Sequence, residues 1–467
     1  MLAPALLGAL LAGCSAGPDY RAPHATPPTA FSILPATNST ASEALSSWWL
    51  QFDDAQLNNL VTLALATNHD LRIASARVME ARALHRQAKF DFLPSPRGTA
   101  GYTHSQYSQA FEPGVSRVNR DVELYDVGFD ATWELDLFGR VRRSVEAARA
   151  TVQVTEENRR FMQITLISEV ARNYFELRGT QNELAVSRRN AGNQEETLKI
   201  TQARLEGGRG TQLDVSRAEA QLNSTRASIP LLEAAVSRSI HRLSVLCGRP
   251  PGDFQSQLET PVPLRATPEL LAIGNPETLL RRRPDIRAAE RQLAAATARI
   301  GMETADLFPR ITFNGRIGLE ASSISGLAKN GSDTWSFGPA ITWAALDYGH
   351  VRARMKAAGA RADAELANYE QTILLALEET ENALMDYNRE LARRGFLQAS
   401  EHASASAATL ARERYENGAT DFLTVLDSER VLLEAQDQLA QSQTRTATSL
   451  VAVYKALGGG WELGRPK

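Results

Sequence analysis

The chain has 467 residues, 43% of them hydrophobic, with 51 Lys and Arg against 54 Asp and Glu for a formal net charge of −3. That balance gives no bulk basic field to draw it to nucleic acid. The seven histidines are scattered with none at ligand spacing, which argues against a metal centre. No nucleophile–base arrangement or cofactor fingerprint is present either, so the sequence reads as a non-enzyme without cofactors.

Met1 to Gly13 is a Leu- and Ala-rich run too short to cross a bilayer, for which about 20 apolar residues are needed. It reads as a secretory signal over residues 1–13, and the lack of a preceding Lys or Arg suggests a start further upstream. Its ending, Leu11-Ala12-Gly13-Cys14, resembles a bacterial lipobox, which would make Cys14 the lipidated first residue of the mature chain. Ser15 after it fits the pattern of outer-membrane sorting. Residues 14–52 then read as an anchored tether, rich in Pro, Ala, Thr and Ser up to Ser46. The other cysteine, Cys247, forms no disulfide framework and reads as a small packing residue.

Helical spacing begins near Asp54. Leu57, Leu60, Val61, Leu65, Leu71 and Ala74 recur at steps of three and four up to about Phe90. Leu93-Pro94-Ser95-Pro96 ends the run. From Val127 the pattern changes to period two. Val127, Phe129, Ala131, Trp133, Leu135 and Leu137 alternate with Gly128, Asp130, Thr132, Glu134 and Asp136. Ile311 to Glu320 and Trp335 to Trp343 alternate likewise, and Thr99 to Tyr107 does so more weakly. These are strands with one apolar face, about the length of a tilted membrane strand. Tryptophans at their ends suit a water–lipid interface.

Between the strand pairs the chain is helical. Arg140 to about Leu205 contains no proline and would extend about 100 Å as one helix. A second helix, Gln212 to Leu246, carries Pro230 and is expected to bend there. Ile373, Leu377, Thr380, Leu384, Tyr387 and Leu391 form a coiled-coil seam, and small residues dominate Ala399 to Ala411. Arg281-Arg282-Arg283 reads as a solvated run ahead of a helix starting at Pro284.

The chain repeats itself. Arg204-Leu205-Glu206-Gly207-Gly208 returns as Arg414-Tyr415-Glu416-Asn417-Gly418, and Trp133 with Phe138-Gly139 returns as Trp343 with Tyr348-Gly349, both 210 residues on. Leu93-Pro94 returns as Phe308-Pro309. Two tandem copies follow. The first spans 53–260, with a strand pair at about 97–137 and long helices over 140–247. A linker, 261–276, leads to the second at 277–457, with strands at about 310–347 and helices over 350–457. Residues 458–467 form a tail.

Four strands cannot close a membrane barrel, since the smallest need about eight. Open strand edges cannot face lipid, because unsatisfied backbone groups there cost several kcal/mol each. If these strands span a membrane, several chains must share one barrel, and three would supply twelve strands.

Trp133-Glu134-Leu135-Asp136-Leu137-Phe138-Gly139-Arg140, Arg283-Pro284-Asp285-Ile286-Arg287 and Ala456-Leu457-Gly458-Gly459-Gly460-Trp461 resemble hallmark segments of TolC-like outer-membrane efflux proteins, nearest the NodT-type efflux lipoproteins. The likeness runs from Cys14 to Trp461. It implies a homotrimer, held in outer-membrane lipid, whose twelve-stranded barrel continues as a periplasmic helical barrel. It further implies docking of a periplasmic adaptor (membrane fusion) protein and an inner-membrane RND transporter, for passage of drugs or other small toxic solutes. The implied periplasmic gate comprises Asp427 in an acidic ring, Leu423 in an apolar ring, and Arg414, Tyr415 and Asp214, with an Asp214–Tyr415 hydrogen bond. Thr424 stands where some relatives carry a second aspartate. The turns at Gly207-Gly208 and Asn417-Gly418 lack a phosphate-loop pattern and are expected to contact the adaptor. One-step protein secretion, metal-ion efflux and a poreless coiled-coil role remain as alternatives.

Overall fold

The computed structural model describes residues 15–24, 28, 30–31, 46–264, 267–268 and 276–462, so the signal run and Cys14 lie outside the described residues. The helical pattern after Asp54 is two helices, α1 (Ala55–Thr67) and α2 (His69–Phe90). Asp54 caps α1, its carboxylate accepting from the amides of Gln56 and Leu57. Asn68, in extended conformation, separates the two, and its side-chain oxygen accepts from the Leu71 amide. A short polar side chain that competes for backbone amides breaks the helix where apolar spacing alone would continue it. There follow β1 (Ser95–Gln106), β2 (Asp121–Leu135), α3 (Arg140–Glu206), α4 (Gln212–Leu246) and the single turn α5 (Gln255–Leu258). The second half contains α6 (Pro276–Arg282), α7 (Pro284–Ala305), β3 (Arg310–Ala321), β4 (Asp333–Thr342), α8 (Tyr348–Glu416) and α9 (Phe422–Ala456).

The chain divides into two compact units, and each draws on both repeats. The first takes residues 77–156 and 288–371 with the N-terminal segment. Its strands form one antiparallel sheet in the order β1-β2-β3-β4, so the central β2–β3 seam joins one repeat to the other. There Phe129 lies opposite Ile317, and Gly128 opposite Gly318. A Cβ on Gly128 would stand 2.7 Å from the Ile317 carbonyl oxygen, so glycine permits this approach. On the apolar face Phe129, Ile317, Trp335, Phe337 and Ile341 are each between 64 and 68% exposed. The other face is charged. Arg316 reaches Asp126 and Glu320 at 3.2 Å, and Thr99 donates to Asp130 at 3.1 Å. At its base Glu134 binds Arg140 in bidentate fashion, while Asp306 accepts from Arg310 and Arg354, around a cavity of about 470 Å³. Beyond β1 and β4 no further strand pairs among the described residues.

The repeat is visible in single bonds. Trp133 donates its indole N–H to the Phe92 carbonyl at 2.9 Å, and Trp343 does the same to Leu307 at 3.0 Å. Each tryptophan thereby ties the end of a strand to the turn that precedes its partner. Within the expected tether, residues 15–20 are docked on this unit. The Ala16 amide donates to Phe138, and Arg143 binds the Ala16 carbonyl and Asp19. Gly17, at φ 82°, lies against Gly301, and the Tyr20 hydroxyl meets Glu290.

The second unit comprises the described parts of 26–76, 157–287 and 372–467 and holds the main core. Trp48–Phe52, expected at the end of the tether, is a 3₁₀ turn packed into that core. Trp48 is fully buried with its ring stacked on Tyr454 at 5.1 Å. Ile373, Thr380, Leu384 and Tyr387 are buried as the seam requires, and Cys247 is enclosed with its thiol 3.6 Å from the Leu60 carbonyl. Burial pushes that thiol up to about 11, which suits an inert packing residue. The arginine run departs from expectation. Arg281 is solvated, but Arg283 is buried and binds Asp285, Glu379 and the Ala456 carbonyl. Glycine at 179 lets α3 and α9 touch, since a Cβ there would meet the Thr444 hydroxyl at 2.0 Å.

Candidate functional site at the helical turns

Two turns, one per repeat, lie at the ends of the long helices in the second unit. In the first, α3 ends at Glu206, Gly208 takes φ 64°, and Thr211 caps α4. In the second, α8 ends at Glu416, Gly418 takes φ 74°, and Asp421 caps α9. A left-handed residue closing one helix and an oxygen-bearing cap opening the next make a tight reversal. The caps are chemical mirror images. Thr211 accepts from the Asp214 amide while its hydroxyl donates to the Asp214 carboxylate at 2.7 Å. Asp421 accepts from the Thr424 amide at 3.0 Å and from the Thr424 hydroxyl at 2.7 Å. Threonine and aspartate have exchanged places with the hydrogen bonds retained. The Thr424 side chain, then its amide, holds the Asp421 carboxyl below the usual aspartate range.

These caps account for one expected gate residue, Asp214, and for Thr424 beside the gate. Asp214 is engaged with Thr211 and makes no bond to Tyr415 within the chain, contrary to the predicted latch. The capping box satisfies its carboxylate locally. Thr424, in the position of a second aspartate, spends its hydroxyl on Asp421.

Tyr415 is held by Arg204 instead. The guanidinium stacks over the ring at 4.1 Å and donates to the Tyr415 carbonyl at 2.6 Å. The ring packs with Ala218, Ala411, Phe422 and Val425 in a small apolar cluster. Beside it, Glu429 accepts from Arg412 at 2.6 Å and from Thr197 at 3.1 Å. The seam between the two hairpins of one chain is therefore fixed by a cation–π contact and part-buried hydrogen bonds, while the Arg412–Glu429 ion pair lies within the second hairpin. Arg204, Arg412 and Thr197 were absent from the predicted site. Arg204 was within reach, because its Arg-x-x-x-Gly spacing recurs at Arg414. Leu423 is 52% exposed, Gly207, Asn417 and Gly418 are exposed, and Asp427 is exposed but paired with Arg430 at 3.0 Å. Arg414 is exposed and makes no side-chain hydrogen bond or ion pair among the described residues.

The outer membrane efflux protein family model matches residues 60–249 and 275–459. The solvent efflux pump outer membrane protein SrpC of Pseudomonas putida is 34% identical over 468 residues, covering 97% of each chain. Nodulation protein T of Rhizobium leguminosarum bv. viciae is 32% identical over 462 residues, covering 98% of this chain and 93% of its own. Among solved structures, the outer-membrane channel OprN superposes with a TM-score of 0.88 at 44% identity, over 96% of this chain and 100% of that one. These likenesses cover nearly the whole length of the chain. The chain belongs to the outer membrane efflux protein family and is an outer-membrane component of an efflux pump.

Proposed function

We propose that three copies of this chain close a single twelve-stranded barrel and work as a passive duct, gated at the helical turns. The duct passes drugs or other small toxic solutes from a periplasmic adaptor and an inner-membrane RND transporter to the exterior. Cys14, which lies outside the described residues, carries the lipid anchor. The observation that carries the reading is the four-stranded sheet with an exposed apolar face and two unpaired edges. Such edges are intolerable in lipid unless other chains satisfy them. The charged opposite face, with Asp126, Asp130, Arg316 and Glu320, suits a water-filled lumen.

At the turns, Leu423 and Asp427 of three chains would meet around one axis. Asp427 brings Arg430 with it, so this ring is less acidic than bare carboxylates would make it. Gly207, Gly208, Asn417 and Gly418 form the surface offered to the adaptor, whose binding need only favour the open state to shift the population. Mass measurement of the purified protein in nanodiscs should give three chains, and deletion with neighbouring genes intact should raise sensitivity to toxic solutes. A single-chain mass, or unchanged sensitivity to every compound class, would reject the duct.

A further inference from the structure

A second cavity, of about 730 Å³, lies among the helices of the sheet-bearing unit. Arg354 joins it to the charged cavity at the base of the sheet. Its guanidinium donates at 2.9 Å to Glu303, which lines the one, and at 2.7 Å to Asp306, which lines the other. Both repeats build it, α2 and α3 from the first and α7 and α8 from the second. The cavity does not face the docked N-terminal segment. That segment lies along Arg143, Ala150 and Ala294, whereas Ser144, Ala148, Thr151 and Thr155 line the cavity from a different stripe of α3.

The floor is alanine. Ala81, Ala147, Ala296 and Ala358, one from each helix, are all buried. Methyl groups leave room and offer water no hydrogen bond, so the floor favours an apolar body. The volume is that of sites enclosing drug-sized molecules. Around the floor stand Arg77, Arg299 and Arg361, all exposed, and none makes an ion pair or hydrogen bond among the described residues. Arginines nearby on the same helices are occupied: Arg82 by Glu156, and Arg354 by Glu303 and Asp306. Three carboxylates also reach the rim. Glu303 is already held by Arg354, which leaves Glu80 and Glu365 against three guanidinium groups. A guanidinium is weakly hydrated and grips an oxyanion through two parallel hydrogen bonds, so the unmatched charge favours an anion.

We propose that this cavity is a weak binding site for amphiphilic organic anions in transit. The apolar body lies on the alanine floor, and Arg77, Arg299 and Arg361 hold the anionic group. The inference rests on the duct proposed above, in which each chain would supply one such site to the passage. A duct must release what it binds, so the Kd should be on the order of 0.1–1 mM.

Naphthalene probes that share a ring and differ in charge test it: the sulfonate, the methanol and the trimethylammonium derivative. Saturation-transfer NMR on the protein in nanodiscs, with empty nanodiscs subtracted, reads their binding. The sulfonate should bind most tightly, and added salt should weaken it. The triple variant Arg77→Gln, Arg299→Gln, Arg361→Gln should lower sulfonate affinity by about tenfold or more and leave the alcohol unchanged. Ala148→Leu, which narrows the cavity with every charge intact, should weaken all three probes, and it decides the matter alone should the triple variant fail to assemble. Trimethylammonium binding as tight as that of the sulfonate, or sulfonate affinity unchanged in an assembled variant, would overturn the site while a three-chain mass leaves the duct intact. A single-chain mass would reject the duct itself.

Discussion

A buried guanidinium loses solvation, and Arg283 recovers it from three partners. Asp285 accepts at 2.7 and 3.0 Å, Glu379 at 2.7 Å and the Ala456 carbonyl at 2.8 Å. Burial works against its charge, yet the bonds to Asp285 and the pull of Glu379 hold its pKa above the ordinary arginine value. Removing one side of such a buried pair costs about 3–5 kcal/mol, because the remaining charges are left stranded. Arg283→Ala should therefore lower the thermal midpoint of the helical unit strongly, read by circular dichroism. Arg281→Ala, at a side chain 80% exposed, should change stability by less than about 0.5 kcal/mol. Equal effects would refute the distinction. Glu183 presents the opposite problem. Burial, and then the nearby Asp437 carboxylate, push it up to about 7, with Arg445 opposing. Its folded pKa thus lies above the unfolded value of 4.5, so the folded state favours the neutral acid. That stabilisation is complete below about pH 4.5 and is lost as pH rises through about 7. Glu183→Gln should flatten the fall in melting temperature across that window, and an unchanged slope would clear Glu183 of the role.

Strand alternation made the sheet legible, because period two writes the apolar and polar faces directly into the chain. Val127 to Leu135 carries the signal on a strand paired on both sides, whereas β1, mostly small and polar residues around Tyr102, alternates weakly as an edge. Pro96 and Pro339 both fall on edge strands, where a missing backbone donor is tolerated. The helices were legible for the same reason of period, but their breaks were not. The Asn68 interruption and the Thr211–Asp214 cap depend on side-chain oxygens competing locally for amides, and apolar spacing does not record that competition. The arginine run misled because three adjacent guanidinium groups look alike in sequence, and only packing distinguishes Arg283 from Arg281. At the level of the strand the face assignment can be tested directly. Phe129→Arg puts a charge on the exposed apolar face and should cost about 2–4 kcal/mol near the bilayer midplane. Asn314→Arg, on the charged face, should insert normally. Outer-membrane abundance and heat-modifiable mobility on gels report the difference, and equal loss in both variants would reverse the assignment.

At the scale of the molecule, two anchors would explain membrane attachment: the lipid proposed at Cys14 and the apolar face of the sheet. The docked segment after Cys14, with Ala16 bonded to Phe138 and Arg143 bound to Asp19, holds the chain's beginning where β2 passes into α3. Phe129, Ile317, Trp335, Phe337 and Ile341 are all well exposed, and each large apolar side chain contributes about 1.5–3 kcal/mol when removed from water. The sheet alone would therefore suffice to hold the assembled protein in the membrane, and the lipid proposed at Cys14 would serve chiefly to bring the chain there before the barrel closes. Exchanging the leader for an ordinary cleavable signal together with Cys14→Ser should leave the assembled protein in the membrane pellet, released by detergent and not by high salt or carbonate. Its yield should fall, since unassembled chains lose their tether while their strand edges are still open. Recovery of the variant as a soluble single chain would mean that something other than lipid covers the apolar face, and the barrel would have to be abandoned.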